Sequence, residues 1–178
     1  MKHPLSKTAG FALSLLFLAT SVTLQAGNDN RAPDVPPEIA VDAIDADHKV
    51  HFHTYAEGVQ IYSWNGSSWV FVAPDAVLFD ADGNVIGSHY AGPTWESQSG
   101  SKVVAARVSS APSPNANSIP LLLLEARTAE GPGIFARTTY IQRVNTVGGV
   151  APSAPGTSVG EEARVFYSAE YFFFRATK

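Results

Sequence analysis

The chain has 178 residues, 45% of them hydrophobic, and its 16 acidic and 12 basic side chains give a formal charge of −4. It contains no cysteine, which excludes disulfides, thiol catalysis and cysteine-ligated metal and leaves the hydrophobic core to hold the fold. Beyond the first seven positions the basic residues are scattered singly, which argues against nucleic acid or an anionic membrane as a partner, since both need a basic patch.

Lys2, His3 and Lys7 make a basic start, an apolar run occupies 10–19 (GFALSLLFLA), and the more polar TSVTLQA follows. This is the layout of a secretory signal. Cleavage is expected after Ala26, give or take a residue or two because Leu24 is bulky for the −3 position, and the mature protein is expected in the periplasm or outside the cell. An uncleaved anchor is the alternative, but the run is shorter than the roughly 20 residues of a membrane span, and nothing later reaches that length. Loss of Lys2 and Lys7 takes the formal charge from −4 to −6. Residues 27–38 (GNDNRAPDVPPE) carry three prolines and read as a flexible lead-in. Residues 39–178 are then one domain, large enough for a proper core.

From there the apolar pattern has a period of two. Strand candidates are 50–55, 59–62, 69–72, 76–79, 84–90, 102–108, 119–126, 134–144 and 163–175, rich in Val, Ile, Tyr, Phe and Trp as strands prefer. Asn65-Gly66-Ser67-Ser68 and Asp80-Ala81-Asp82-Gly83-Asn84 carry turn chemistry. The second has the start of a calcium loop but no carboxylate at the far end, so it reads as a hairpin turn. Residues 109–118 and 151–160 are longer Pro/Ser loops. In the last segment Phe166, Ser168, Glu170, Phe172 and Phe174 alternate with Val165, Tyr167, Ala169, Tyr171 and Phe173. Aromatics on both faces predict a central, buried strand. The expected fold is all-β, a single-domain sandwich or barrel of about eight to ten short strands, monomeric; the pattern fits both architectures.

Ordered motifs from about residue 35 onward resemble a known family. They include Gly58-Val59-Gln60-Ile61-Tyr62, Ala73-Pro74-Asp75-Ala76, Gly87-Ser88-His89-Tyr90-Ala91-Gly92-Pro93-Thr94-Trp95-Glu96, Tyr140-Ile141-Gln142-Arg143-Val144-Asn145-Thr146 with Gly148-Gly149, and Tyr167-Ser168-Ala169-Glu170-Tyr171-Phe172-Phe173. The family is domain of unknown function 3455, of exported bacterial and fungal proteins, and the resemblance implies export but no activity. Members commonly carry one Cys after the Gly-Val-Gln-Ile-Tyr motif and another in the loop after Gly-Gly. Ser63-Trp64 and Pro155-Gly156-Thr157 stand there in this chain. If those cysteines pair in relatives, this chain lacks a cross-link worth roughly 2–5 kcal/mol, and packing by Trp64 is the expected substitute.

Two constellations could carry chemistry. The first is His51-Phe52-His53-Thr54-Tyr55-Ala56-Glu57. On a strand the two imidazoles would share a face, and Glu57 with His89 could complete a set for a divalent transition metal, similar to the first metal motif of cupins. The alternative is a solvated strand face, and the cupin match is partial: Asp45 stands where a glycine is expected and Val85-Ile86-Gly87 replaces Pro-x-Gly ahead of His89. The second gathers His89, Tyr90, Trp95 and Glu96 around Gly92-Pro93, with Arg143 as a further candidate that could clamp a carboxylate. His89 and Glu96 could act as an acid/base pair, or Trp95 could stack on a sugar or another flat ligand while its neighbours orient it. The structural alternative is a tight corner with Trp95 in the core and Arg143 fastening a loop. The expected function is a non-enzymatic binding or envelope-associated protein for a small molecule or glycan, without a cofactor. The competing expectation is a cupin-like metal-dependent enzyme using His51, His53, Glu57 and His89.

Overall fold

The computed structural model describes residues 31–178, so the expected export signal and its cleavage point lie outside the described residues. Eight strands follow a short 3-10 turn at Pro37–Ile39: β1 (His48–Trp64), β2 (Trp69–Phe79), β3 (Val85–Tyr90), β4 (Thr94–Ser97), β5 (Lys102–Ala111), β6 (Leu121–Glu130), β7 (Tyr140–Gly148) and β8 (Glu162–Ala176). Each pairs antiparallel with the next, and β8 returns to β1, so the sheet is a closed up-and-down barrel. Closure decides between the two expected architectures and leaves no strand with a free edge along its whole length.

Several strand expectations merge. The candidates 50–55 and 59–62 are one 17-residue strand, because Gly58 stays in the ladder opposite both Ala76 and Tyr167. The candidates 69–72 and 76–79 are likewise continuous through Pro74. Proline is tolerated there because Pro74 pairs with Gln60 on one side, while the pairing of β2 with β3 begins only at Ala76; its missing N–H faces an unpaired edge. Strand β4 was not expected as a strand, since a four-residue run shows little alternation. In the 134–144 candidate only the stretch from Tyr140 is strand.

The inner face of the barrel is filled by Ala56, Leu78, Trp95, Val103, Leu124, Ile141, Tyr167, Tyr171 and Phe173, among others. One end is corked by the loop after β6. Phe135 is fully buried there, 4.8 Å from the Phe173 ring and edge-on to Phe52. The hydroxyls of Ser97, Ser99 and Ser101 hydrogen-bond to one another beneath it. Strand β8 is central, as its two aromatic faces predict: Tyr167, Tyr171 and Phe173 point inward, and Phe172 and Phe174 point outward under a second cluster with Ile39, Val41 and Val50. The segment around the 3-10 turn therefore straps the outside of the barrel. It is fastened by a hydrogen bond of 2.6 Å from Gln142 Nε2 to the Ile39 carbonyl, and Ile39 is completely buried.

At the two places where the family resemblance implies cysteines, Trp64 lies against Gly156, whose Cβ, were there one, would fall 2.5 Å from Trp64 Cγ. Trp69 packs edge-on to Trp64 and donates its indole N–H to the Ala154 carbonyl at 2.9 Å. Two tryptophans thus pin the 151–160 loop to the β1–β2 hairpin. Among the described residues no helix is long and apolar enough to cross a membrane.

Candidate functional site

The end opposite the Phe135 cork holds a cavity of about 460 Å³. In an up-and-down barrel one end collects the C-terminal ends of odd strands and the N-terminal ends of even ones. The cavity accordingly takes Gln60 and Tyr62 from β1, Phe71, Val72 and Pro74 from β2, His89 from β3, Gly92 and Pro93 from the turn, and Trp95 from β4. Arg107 of β5, Ile119 and Pro120 ahead of β6, Leu122 and Leu124 of β6, Arg143 of β7 and Tyr171 of β8 complete the wall. Eight strands enclose just enough room for packed side chains or one small ligand. This barrel is packed at one end and open at the other.

Of the five expected ligand residues, His89, Trp95 and Arg143 line this cavity, and Tyr90 and Glu96 do not. Alternation is the reason. His89 pairs with Trp95 across β3 and β4 with both inside, so Tyr90 and Glu96 face outward, where the Tyr90 hydroxyl donates to Glu96 Oε2 at 2.5 Å. The Glu96 carboxylate raises the ionisation point of Tyr90. His89 and Glu96 therefore do not form an acid/base pair. The His89 ring stacks on Trp95 at a centroid distance of 4.2 Å, which covers an indole face that a sugar would need.

His89 is 3% exposed. Burial holds it neutral with a pKa lowered to about 3, partly opposed by its bond to the Thr94 carbonyl and assisted by the Arg143 charge. Nδ1 lies 2.8 Å from that carbonyl; a carbonyl only accepts, so Nδ1 carries the proton and Nε2 keeps its lone pair. Arg143 donates Nε and Nη2 to the Pro120 carbonyl at 3.2 and 2.9 Å, and its charge also acts on Tyr62, Tyr167 and Tyr171. Burial raises the ionisation points of all three phenols. Gln60 Nε2, Trp95 Nε1 and Tyr171 Oη are buried and make no hydrogen bond of normal geometry among the described residues, although Gln60 and Tyr171 interact more loosely with Tyr167, and Tyr171 with Arg143.

Sequence reasoning missed Gln60, Tyr62, Arg107 and Tyr171. Gln60 carried the clearest signal, as a polar side chain at an inward position of an otherwise apolar alternation; Arg107 looked like any other solvated charge.

The metal constellation is dispersed. A register shift between Val50 and Phe52 displaces His51 from the pairing. Its Nε2 lies 3.2 Å from Thr138 Oγ1, and burial, with Arg175 and Arg137, lowers its pKa to about 4. His53 faces outward, stacked on Phe172 at 3.9 Å and bonded through Nε2 to Glu170 Oε2 at 2.9 Å. Glu57 is exposed beside Phe79 and Asp80, and His89 is inside the barrel. Among the described residues no group of three or more His, Cys, Asp or Glu is placed to hold a metal ion.

The His53–Glu170 pair carries a stability prediction. The His53 bond, with help from Asn145 and against burial, holds the Glu170 carboxyl below its ordinary value of 4.5. A depressed acid contributes stability that is present above the unfolded value and lost as pH falls through the folded one. Glu170→Gln is expected to lower stability by on the order of 1 kcal/mol at neutral pH, with the difference shrinking below about pH 4. Urea unfolding at both pH values checks it; an equal deficit at both would remove the ionic contribution.

Residues 45–175 match the protein family described as Protein of unknown function (DUF3455). No curated protein and no solved structure gives a match.

Proposed function

Starting from a chain that belongs to the DUF3455 family, whose description carries no activity, we propose that it is an exported, non-enzymatic binding protein that holds one small molecule in the mouth of its barrel. The observation that carries this reading is the cavity of about 460 Å³, walled mostly by apolar side chains with Gln60, His89, Arg107 and Arg143 among them. The volume suits a compact ligand. The closed face of Trp95 favours a small apolar or aromatic molecule over a glycan.

Catalysis finds little support in the lining. Among the described residues it contains no Asp, Glu, Ser, Thr or Lys, and its one histidine is neutral and tied to a backbone carbonyl. The reading calls for no cofactor.

The test is calorimetric titration of the mature protein with a panel of small apolar, aromatic and saccharide compounds, repeated on Leu122→Trp, which fills the cavity. A subset of the apolar or aromatic members is expected to bind at one site, and the variant to lose at least about tenfold in affinity with its melting temperature kept. Absence of binding across the panel, or equal binding by the filled variant, would refute this site.

A further inference from the structure

Resting on that reading, we propose that the ligand is an organic anion: an apolar-bodied carboxylate whose head group is received by Arg107 and Arg143. The charge balance of the cavity points this way. Among the described residues its lining holds two guanidinium groups and no acid, in a chain whose acidic residues outnumber its basic ones by 16 to 12. Arg164 pairs with Asp75 and Glu162, and Arg127 with Glu125. Among the described residues neither Arg107 nor Arg143 has a carboxylate within ion-pair distance.

The two stand on the same stretch of the inner wall, on the strands that flank β6. Arg107 pairs with Leu124, Leu124 with Ile141, and Arg143 lies two residues further along the same face of β7. Arg143 is also preset. Its Nε and Nη2 are held by the Pro120 carbonyl, which fixes the plane of the guanidinium, and the group also lies beside the Tyr171 hydroxyl. A carboxylate suits such a planar fork better than a neutral oxygen does, because charge-assisted bonds are about twice as strong.

A guanidinium group can only donate hydrogen bonds, so Arg107 and Arg143 favour a ligand that accepts them. Leu122, Leu124 and Ile119 offer the apolar body its place, and Phe71 and Val72, each more than half exposed at the mouth, make an apolar entrance.

The probes are matched pairs that differ only in the head group: decanoate against 1-decanol, and 2-naphthaleneacetate against 2-naphthaleneethanol, titrated below aggregation at pH 7.5. The acid of at least one pair is expected to bind at least about tenfold more tightly than its alcohol, with an affinity that weakens as salt rises. Arg107→Gln and Arg143→Gln should each lower the affinity for the acid about tenfold while leaving the alcohol's unchanged. Arg107 has no internal hydrogen bond to lose among the described residues, so its variant keeps the test valid should Arg143→Gln disturb the Pro120 loop. Equal binding of acid and alcohol, or arginine variants that bind the acid normally, overturns the anion proposal and leaves the binding site standing. Failure of both members of both pairs, in a protein that binds nothing in the wider panel, overturns both.

Discussion

Gly58→Ala is expected to destabilise the barrel by about 3 kcal/mol or more, enough to leave much of the chain unfolded at moderate temperature. Gly58 sits in the middle of β1, opposite Ala76 of β2 and Tyr167 of β8. A Cβ there would lie 2.2 Å from the Asp75 carbonyl oxygen, 2.5 Å from Ala76 Cα and 2.7 Å from Ala76 Cβ. Two of those atoms are backbone and belong to a paired strand, so the clash cannot be relieved by a rotamer change. Either the β1–β2 ladder opens or the strand bends elsewhere. The glycine is required for space at a close approach of two strands, a common reason for glycine inside a curved sheet. Gly83→Ala is the matched control: its Cβ would meet nothing within 4 Å, but its φ is +82°, so only left-handed strain of about 1 kcal/mol is expected. Urea unfolding of both variants measures the difference. A Gly58→Ala protein no less stable than Gly83→Ala would mean that the strands can separate at little cost.

The second large effect is an acid sensitivity centred on His89. The buried ring is neutral, with a pKa lowered to about 3 by burial against the Thr94 bond, whereas in the unfolded chain it titrates near its ordinary 6.5. A depressed histidine means that the unfolded state binds the extra proton first. Stability is therefore complete above about pH 6.5 and falls as pH drops, until the folded ring itself takes a proton near pH 3. At pH 4.5, two units below the unfolded value, the expected loss from this one residue is about 2–3 kcal/mol. His51, lowered to about 4 mainly by burial, adds a loss of the same sign. His89→Gln keeps an N–H for the Thr94 carbonyl and removes the titration. Between pH 7.5 and 4.5 the variant is expected to lose about 2–3 kcal/mol less than the parent, since carboxylate protonation acts on both equally. Parallel stability curves would show that water or a partner reaches the ring and protonates it in place.

The candidate site was partly legible in the sequence. Composition marks Gly87 to Glu96 as a cluster, but alternation splits it. His89 and Trp95 pair across β3 and β4 on the inner face, and Tyr90 and Glu96 pair on the outer. That split follows from the turn at Gly92-Pro93, which sets the register and was not readable from composition. Arg143 shares the cavity lining with His89 and Trp95, as expected, but not with Tyr90 and Glu96; Pro120, Tyr171 and Arg107 join it from other strands and loops. His51 and His53 looked like a pair because they are two apart, but the register shift at residue 51 breaks the alternation on which that rested.

By itself the sequence determined the all-β class, the approximate positions of the strands and the two-faced burial of β8. These follow from local alternation and turn chemistry, which are written in consecutive residues. Only the tertiary structure decided that the sheet closes, with β8 pairing β1 over fifteen register positions, that Phe135 fills one end, and that the other end keeps a cavity walled by residues spread from Gln60 to Tyr171. Closure depends on the summed twist and stagger of eight strands, and each residue's share in it is too small to leave a local mark. A cavity is the space those strands leave unfilled.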